Sequence, residues 1–319
     1  MCLCSAGNEG GATLPKAKKY RRNAVKRVSW KQVPCFGSAT CGYLFAGMAR
    51  SYQITLLEFI FRGPLITYIW QDALMDLPLL TQFLLCPLVL VSLLWVTAPY
   101  GRHHQAGWGP RLPNRAAWLL MELPALLVIT SLVLLSPVRD QPQAWAPLCF
   151  WVFHYSYRTF IFPALMRPSD NTFPALLVLF AVAFNVLNGY NNAMALIDTG
   201  EKNFPLMSLH FFIGAAIFLA GFAMHFYSDR IIRQLRKPGE TTYRIPRGGL
   251  FRWVSSPHYL GEIIQWTGWA IMTWSLAGVA FALFTFCNLA PRAISNHRWY
   301  RERFTDYPQS RRILIPGIF

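Results

Sequence analysis

The sequence predicts an all-α, multi-pass integral membrane protein, built as a bundle of seven transmembrane helices. Three observations carry that expectation. Of the 319 residues, 54% are hydrophobic and only 14% are charged, where soluble domains average about 25% charged. The apolar residues gather into segments of bilayer length, roughly 20 residues each. The cations gather in the stretches between those segments and at the chain ends, as they do in membrane proteins whose orientation is set by Lys and Arg.

The elements follow in order. Residues 1–50 hold nine cations (Lys16, Lys18, Lys19, Arg21, Arg22, Lys26, Arg27, Lys31 and Arg50) against one acid, Glu9. No apolar stretch with a small-residue cleavage site follows directly, so this is a basic tail in solvent or on the membrane surface rather than a signal peptide. Residues 51–76 form a second unit. Within it, residues 52–70 contain Glu58, Arg62 and Pro64 and read as an interfacial helix or as an extra N-terminal span. Residues 77–319 form the helical domain, with spans expected at 77–98, 115–136, 145–165, 173–197, 206–227, 258–274 and 277–294. In that arrangement the loops 99–114, 166–172 and 229–257 and the tail from Pro291 share one side. They hold most of the cations, so that side faces the cytosol. The N-terminal tail then falls on the opposite side unless residues 52–70 also cross.

The formal net charge is +16. A basic protein invites a nucleic-acid reading, but here the cations fit loops that meet anionic lipid headgroups, so no nucleic-acid partner is expected. Cys86, Cys149 and Cys287 lie in apolar segments and read as small core residues, and no Cys/His metal spacing appears. There is no GxSxG elbow, no Walker A motif, no strand pattern and no GxGxxG after a strand. A nucleotide would have to be held by helices and basic loops.

Several residues are costly where they sit. Glu122 lies inside WLLMELPALLVI, where a charged side chain costs about 2.5–3.5 kcal/mol on insertion scales and therefore faces the protein interior. A protonated acid there can donate a hydrogen bond, and Pro124 frees a backbone carbonyl two residues on. The third span reads CFWVFHYSYRTFIF. Tyr155 and Arg158 are three apart and share a helix face; Arg158 keeps its charge and needs an anion, either a carboxylate or a bound phosphate. His258 and Glu262 share one face of SPHYLGEIIQWTGW, without the further ligands a metal would need. Asn185, Asn188, Tyr190, Asn191 and Asn192 are unusually polar for a lipid-facing helix and either line a cavity or cross-link helices. The segment 228–257 carries Arg230, Arg233, Arg236, Lys237, Arg244, Arg247 and Arg252 against Asp229 and Glu240; it reads as an anion clamp at the mouth of a membrane-embedded site.

From about Pro99 to the C-terminus the chain resembles the steroid 5α-reductases. The segments that carry the resemblance are RLPNRAAWLLMELP (111–124), HYSYRTF (154–160), SDRIIRQLRKPGETTYRIPRGGLF (228–251), YLGEIIQW (259–266) and HRWYRERFTDYPQSRRILIPGIF (297–319). The resemblance implies a seven-helix membrane bundle that reduces the C4=C5 bond of 3-oxo-Δ4-steroids with NADPH. It implies that Glu122 and Tyr155 are catalytic, polarising the steroid 3-carbonyl, with Trp118 beside them as a substrate contact. It places Arg158, Asp229, Arg236, Tyr243, Arg244, His258, Glu262, Arg292 and Tyr300 at cofactor-contacting or supporting positions, and no metal. His225 and His258 stand where close relatives have Asn. Three rival readings are a relative reducing polyprenols or enoyl-CoA lipids, a lipid-binding or structural membrane protein that has lost catalysis, and a methyltransferase of related architecture. Glu122 and Tyr155 favour the steroid, because they suit a ketone oxygen rather than a thioester. The expected partners are a hydrophobic steroid and membrane lipid, with no obligate protein partner. The expected location is the endoplasmic reticulum membrane in a eukaryote or the inner membrane in a bacterium, with the cofactor site facing the cytosol.

A chain starting at Met48 is expected to insert and to retain near wild-type specific activity, because the resemblance does not reach the tail. Specific activity per mole of membrane-inserted protein checks this; an inserted chain that binds cofactor but fails to turn over would make the tail part of the site.

Overall fold

The computed structural model describes residues 64–166, 172–202, 206, 208–235, 240 and 242–319, with the backbone alone for residues 64–76. The expected tail 1–50 and residues 52–63 of the candidate extra span lie outside the described residues, as does Arg236. The described chain is mostly helix. In order it forms α1 (Pro64–Trp95), a 3-10 turn (Gly101–His103), β1 (Arg111–Pro113), α2 (Asn114–Leu135) and α3 (Pro142–Ser156). A π-helical turn (Tyr157–Ile161) then leads into α4 (Phe162–Leu165). There follow β2 (Thr172–Pro174), α5 (Ala175–Glu201), α6 (Leu209–Gln234), a second 3-10 turn (Gly249–Arg252), α7 (Pro257–Thr273) and α8 (Leu276–Arg303).

Among the described residues, five helices are long and apolar enough to cross a bilayer: Leu77–Trp95 within α1, α2, α5, α6 and α8. The two other expected spans are helical but do not meet that measure singly. Residues 142–165 are interrupted by the π turn, and α7 has 17 residues. The surface of the spans is apolar, with Leu84, Leu88, Leu127, Leu134 and Phe180 all more than half exposed, which in water would be an aggregation hazard and in lipid is the required solvent match.

Three boundaries differ from expectation for local reasons. α1 runs back without a break to Pro64, so residues 64–70 continue the first span. α6 runs on past the apolar segment to Gln234, because nothing between Ser228 and Gln234 breaks a helix and Asp229 and Arg233 stand four apart; the start of the basic segment is therefore helical. A short strand pair was not legible. β1 and β2 pair antiparallel, Leu112 facing Phe173. Each of these residues precedes a proline, which holds it extended, and Arg111 secures the pair by donating through Nε to Thr172 Oγ1 at 2.7 Å.

The tightest packing joins α6 to α7. Gly214 and Gly221 on α6 face Gly268 and Gly261 on α7, and a Cβ on any of the four would lie within 3.0 Å of the facing backbone. In lipid, helices associate through close packing of such small residues. A second centre is Trp151, fully buried, with ring neighbours Tyr155, Trp266, Trp269 and Phe281 at 4.9–5.5 Å. Its indole N–H donates to Ala125 O at 2.8 Å, tying α3 to α2.

Gly261→Leu is expected to force α6 and α7 apart and to cost about 1–3 kcal/mol, the usual range for overpacking. A lowered thermal midpoint in detergent micelles would show it, and an unchanged midpoint would contradict the close approach.

Candidate active site

Four elements bring the charged residues of the spans together. Glu122 projects from α2, Tyr155 from the last turn of α3, and Arg158 from the π turn that follows. That turn has a local cause. Pro163 has no N–H to offer its own preceding turn and crowds the carbonyl four residues back, and the Phe162 N–H instead bonds Tyr157 O, five residues back. Arg158 Nη2 donates to Glu122 Oε1 at 3.1 Å, with the two side chains only 9% and 13% exposed. The guanidinium also lies over the rings of Trp118 and Phe162, at 4.4 and 4.8 Å. The oxygen partner that Arg158 requires is thus the Glu122 carboxyl group within this chain.

The glycine interface supplies the facing wall. It sets His225 and Asp229 of α6 against His258 and Glu262 of α7. His225 Nε2 is 3.4 Å from Asp229 Oδ2, and His225 Nδ1 is 3.8 Å from Glu262 Oε2 and 3.3 Å from His258 O. Among the described residues His225 Nε2, Asp229 Oδ2 and His258 Nδ1 are buried without a hydrogen bond; the His225–Asp229 approach is close enough for attraction but not aligned as a bond. Glu122 interacts electrostatically with Arg158, His225 and Glu262, and so do Tyr155 and Glu122.

The polar residues of α5 cross-link helices. Gln82 of α1 donates to Asn188 Oδ1 at 2.9 Å, Asn191 donates to Gln82 Oε1 at 2.7 Å, and Trp269 of α7 donates to Asn192 Oδ1 at 2.7 Å. Asn185 Nδ2 reaches Met121 O on α2 at 2.6 Å.

The remaining predicted residues form a second group. Tyr243 and Arg244 lie on the extended segment after the described gap, where Arg244 pairs with Glu240 at 2.7 Å. Arg292 and Tyr300 lie on α8. Arg292 stacks over Tyr100 and Tyr259, and Tyr300 packs parallel to Tyr307 at 5.4 Å. The member that sequence reasoning missed is Arg102, in the 3-10 turn after Tyr100. Its guanidinium lies over Tyr243, Trp299 and Tyr300 at 4.7–5.5 Å, and it interacts with His258 across the boundary between the two groups. The only hint in the sequence was a glycine beside it, Gly101, which turns the chain at φ 61. Beside it, His103 meets Asn296 on α8 at 3.3 Å, and burial pushes its imidazole below its ordinary value. Arg102 Nη1 and, near the C-terminus, Nε and Nη1 of the buried Arg311 have no hydrogen-bond partner among the described residues.

This geometry can be set beside known proteins. The family model described as 3-oxo-5-alpha-steroid 4-dehydrogenase matches residues 171–319. The human protein named 3-oxo-5-alpha-steroid 4-dehydrogenase 2 is 42% identical over 234 residues, covering 71% of this chain and 91% of the relative. The chain belongs to the steroid 5-alpha-reductase family, whose members are oxidoreductases. The match to this family holds across kingdoms: the Gossypium hirsutum protein named steroid 5-alpha-reductase DET2 is 39% identical over 247 residues, 76% of this chain and 96% of its own. A mouse 3-oxo-5-alpha-steroid 4-dehydrogenase 1 is 41% identical over 251 residues, 77% of this chain and 97% of its own. The family assignment and the apolar helices together make the chain a membrane oxidoreductase.

Removing one partner of the Glu122–Arg158 pair strands the other in an apolar interior. Glu122→Leu alone and Arg158→Met alone are each expected to cost about 3–5 kcal/mol, while the double substitution recovers most of the loss. Thermal midpoints of the three variants in micelles check this; additive losses would mean that the pair is not coupled.

Proposed function

We propose that this chain reduces the C4=C5 double bond of 3-oxo-Δ4-steroids to 5α products with NADPH, within a seven-span bundle whose two further spans are residues 142–165 and α7. The observation that carries the reading is that Glu122 of α2 interacts electrostatically with the buried Tyr155 of the neighbouring helix α3.

The donor set fits the cofactor. Buried guanidinium nitrogens without partners, on Arg102 and Arg311, suit phosphate oxygens, which Arg holds through charge-assisted and often bidentate bonds. Tyr243, Trp299, Tyr300 and Arg292 lie around Arg102 or on the same helix end, and they would hold the nucleotide from the cytosolic side. His258 and Asp229 would hold its reactive end, using polar atoms left without a hydrogen bond among the described residues, with Glu262 beside them. When bound, NADPH supplies the hydride for C5 of the enone.

The protein's part is to meet the charge that grows on the 3-oxygen. Glu122 Oε1 is engaged by Arg158, which leaves Oε2 to carry a proton toward the carbonyl. The Tyr155 hydroxyl donates from the other side, with its ring fixed between Trp151 and Trp266 at 4.9 and 5.8 Å. Two fixed donors aimed at a developing enolate act as an oxyanion hole, strongest where water is excluded. Trp118, held against Arg158, walls the substrate side. C4 then takes a proton from solvent, and the ketone is restored. The site lies in the membrane of the endoplasmic reticulum or, in a bacterium, the inner membrane, with the cofactor end facing the cytosol.

The direct test incubates liposome-reconstituted protein with progesterone or testosterone and NADPH and resolves the 5α from the 5β product by mass spectrometry against standards. Only 5α product is expected; no consumption of the enone, or 5β product, would overturn the reading. Glu122→Gln is expected to lower kcat by up to about 10²–10³-fold, the usual loss for one oxyanion donor, with NADPH affinity nearly intact. Arg102→Ala is expected to raise KM for NADPH more than KM for steroid, and wild-type turnover with NADH at the NADPH rate would remove the phosphate clamp.

A further inference from the structure

The buried amides of α5 have a direction, and it ends at Tyr155. Trp269 Nε1–H can only donate, and it donates to Asn192 Oδ1 at 2.7 Å. That fixes which end of the Asn192 amide is oxygen, so its Nδ2 points the other way, to Asn188 Oδ1 at 3.0 Å. Gln82 Nε2 donates to the same oxygen at 2.9 Å, and the Gln82 orientation is fixed in turn by Asn191 Nδ2, which donates to Gln82 Oε1. With Oδ1 of Asn188 doubly occupied, its Nδ2 is the only free end. Asn188 is 0% exposed, and among the described residues its Nδ2 makes no full hydrogen bond. Its side chain interacts with the Tyr155 hydroxyl.

We propose that Asn188 is a positioning residue for Tyr155. Its amide donates to the phenolic oxygen and so turns the hydroxyl's own proton toward the substrate carbonyl. A hydroxyl oxygen that accepts from one side donates to the other, and an amide whose oxygen is held by both Gln82 and Asn192 cannot rotate to reverse the sense. Gln82, Asn192 and Trp269 thus set, at a distance, the direction in which Tyr155 points its proton. The inference rests on the reading of Tyr155 as a carbonyl donor.

A double-mutant cycle on steroid turnover tests it. Asn188→Leu, close in volume and without the donor, is expected to lower kcat about tenfold with KM for NADPH unchanged. In the Tyr155→Phe background the same substitution is expected to change kcat by less than about twofold, because the hydroxyl it orients is gone. Trp269→Phe, which removes the donor at the head of the ladder while keeping an aromatic ring, is expected to lower kcat only when Tyr155 is present, and it carries the test if Asn188→Leu does not fold. A full tenfold loss from Asn188→Leu in both backgrounds would reduce Asn188 to a structural residue and overturn the proposal while leaving the role of Tyr155 standing. An active enzyme in which Tyr155→Phe itself is silent would overturn both.

Discussion

The close approach of α6 and α7 is the constraint on which the site depends. Four glycines, seven apart on each helix, let the two backbones meet where side chains would otherwise stand. No hydrophobic driving force acts between helices already in lipid, so contact of this kind carries the association. The same approach decides chemistry. His225 sits one turn beyond Gly221, and Glu262 follows Gly261 directly, so the glycine register determines that an imidazole from one helix meets a carboxylate from the other. A widened interface would leave these groups separately buried without partners.

The second organising principle is that polar groups inside the bundle are held in sets. Arg158 bonds Glu122 and lies over the rings of Trp118 and Phe162; the amides of α5 bond one another and reach α1, α2 and α7. Among the described residues, some of the exceptions gather in one place. His225 Nε2, Asp229 Oδ2, His258 Nδ1 and Arg102 Nη1 are unsatisfied near the boundary between the span cluster and the helix-end cluster. Buried polar atoms are rarely left alone in folded proteins, and these are atoms that the proposed cofactor would satisfy.

Much of this was legible in the sequence. The five long spans were visible because hydropathy over 20 residues is a property of composition, insensitive to packing. Glu122 and Arg158 were visible as groups needing partners, because the cost of charge in lipid is local; that they are each other's partner is a tertiary fact, set by the π turn. The strand pair was hidden because it depends on two Leu-Pro and Phe-Pro steps that are 60 residues apart. Arg102 was hidden because it looks like any loop cation; only the three rings that gather on it, two of them from α8, make it special. The helical start of the basic segment was readable from the absence of breakers before Pro238, and charge density drew attention away from it.

The π turn makes one helix into two independently aimed halves. Upstream of it, the face carrying Trp151 and Tyr155 is locked by Trp266, Trp269 and Phe281; downstream, the face carrying Arg158 and Phe162 is locked by Glu122 and Trp118. Because a helix advances about 100° per residue, removing a single residue from this turn would restore a regular helix and swing one face away from its partners while leaving the other in place. Length, normally a free variable of a loop and a rigid one of a helix, is here the quantity that keeps the hydroxyl and the guanidinium in phase, so that at this point an insertion or deletion of one residue would change the geometry of the proposed site.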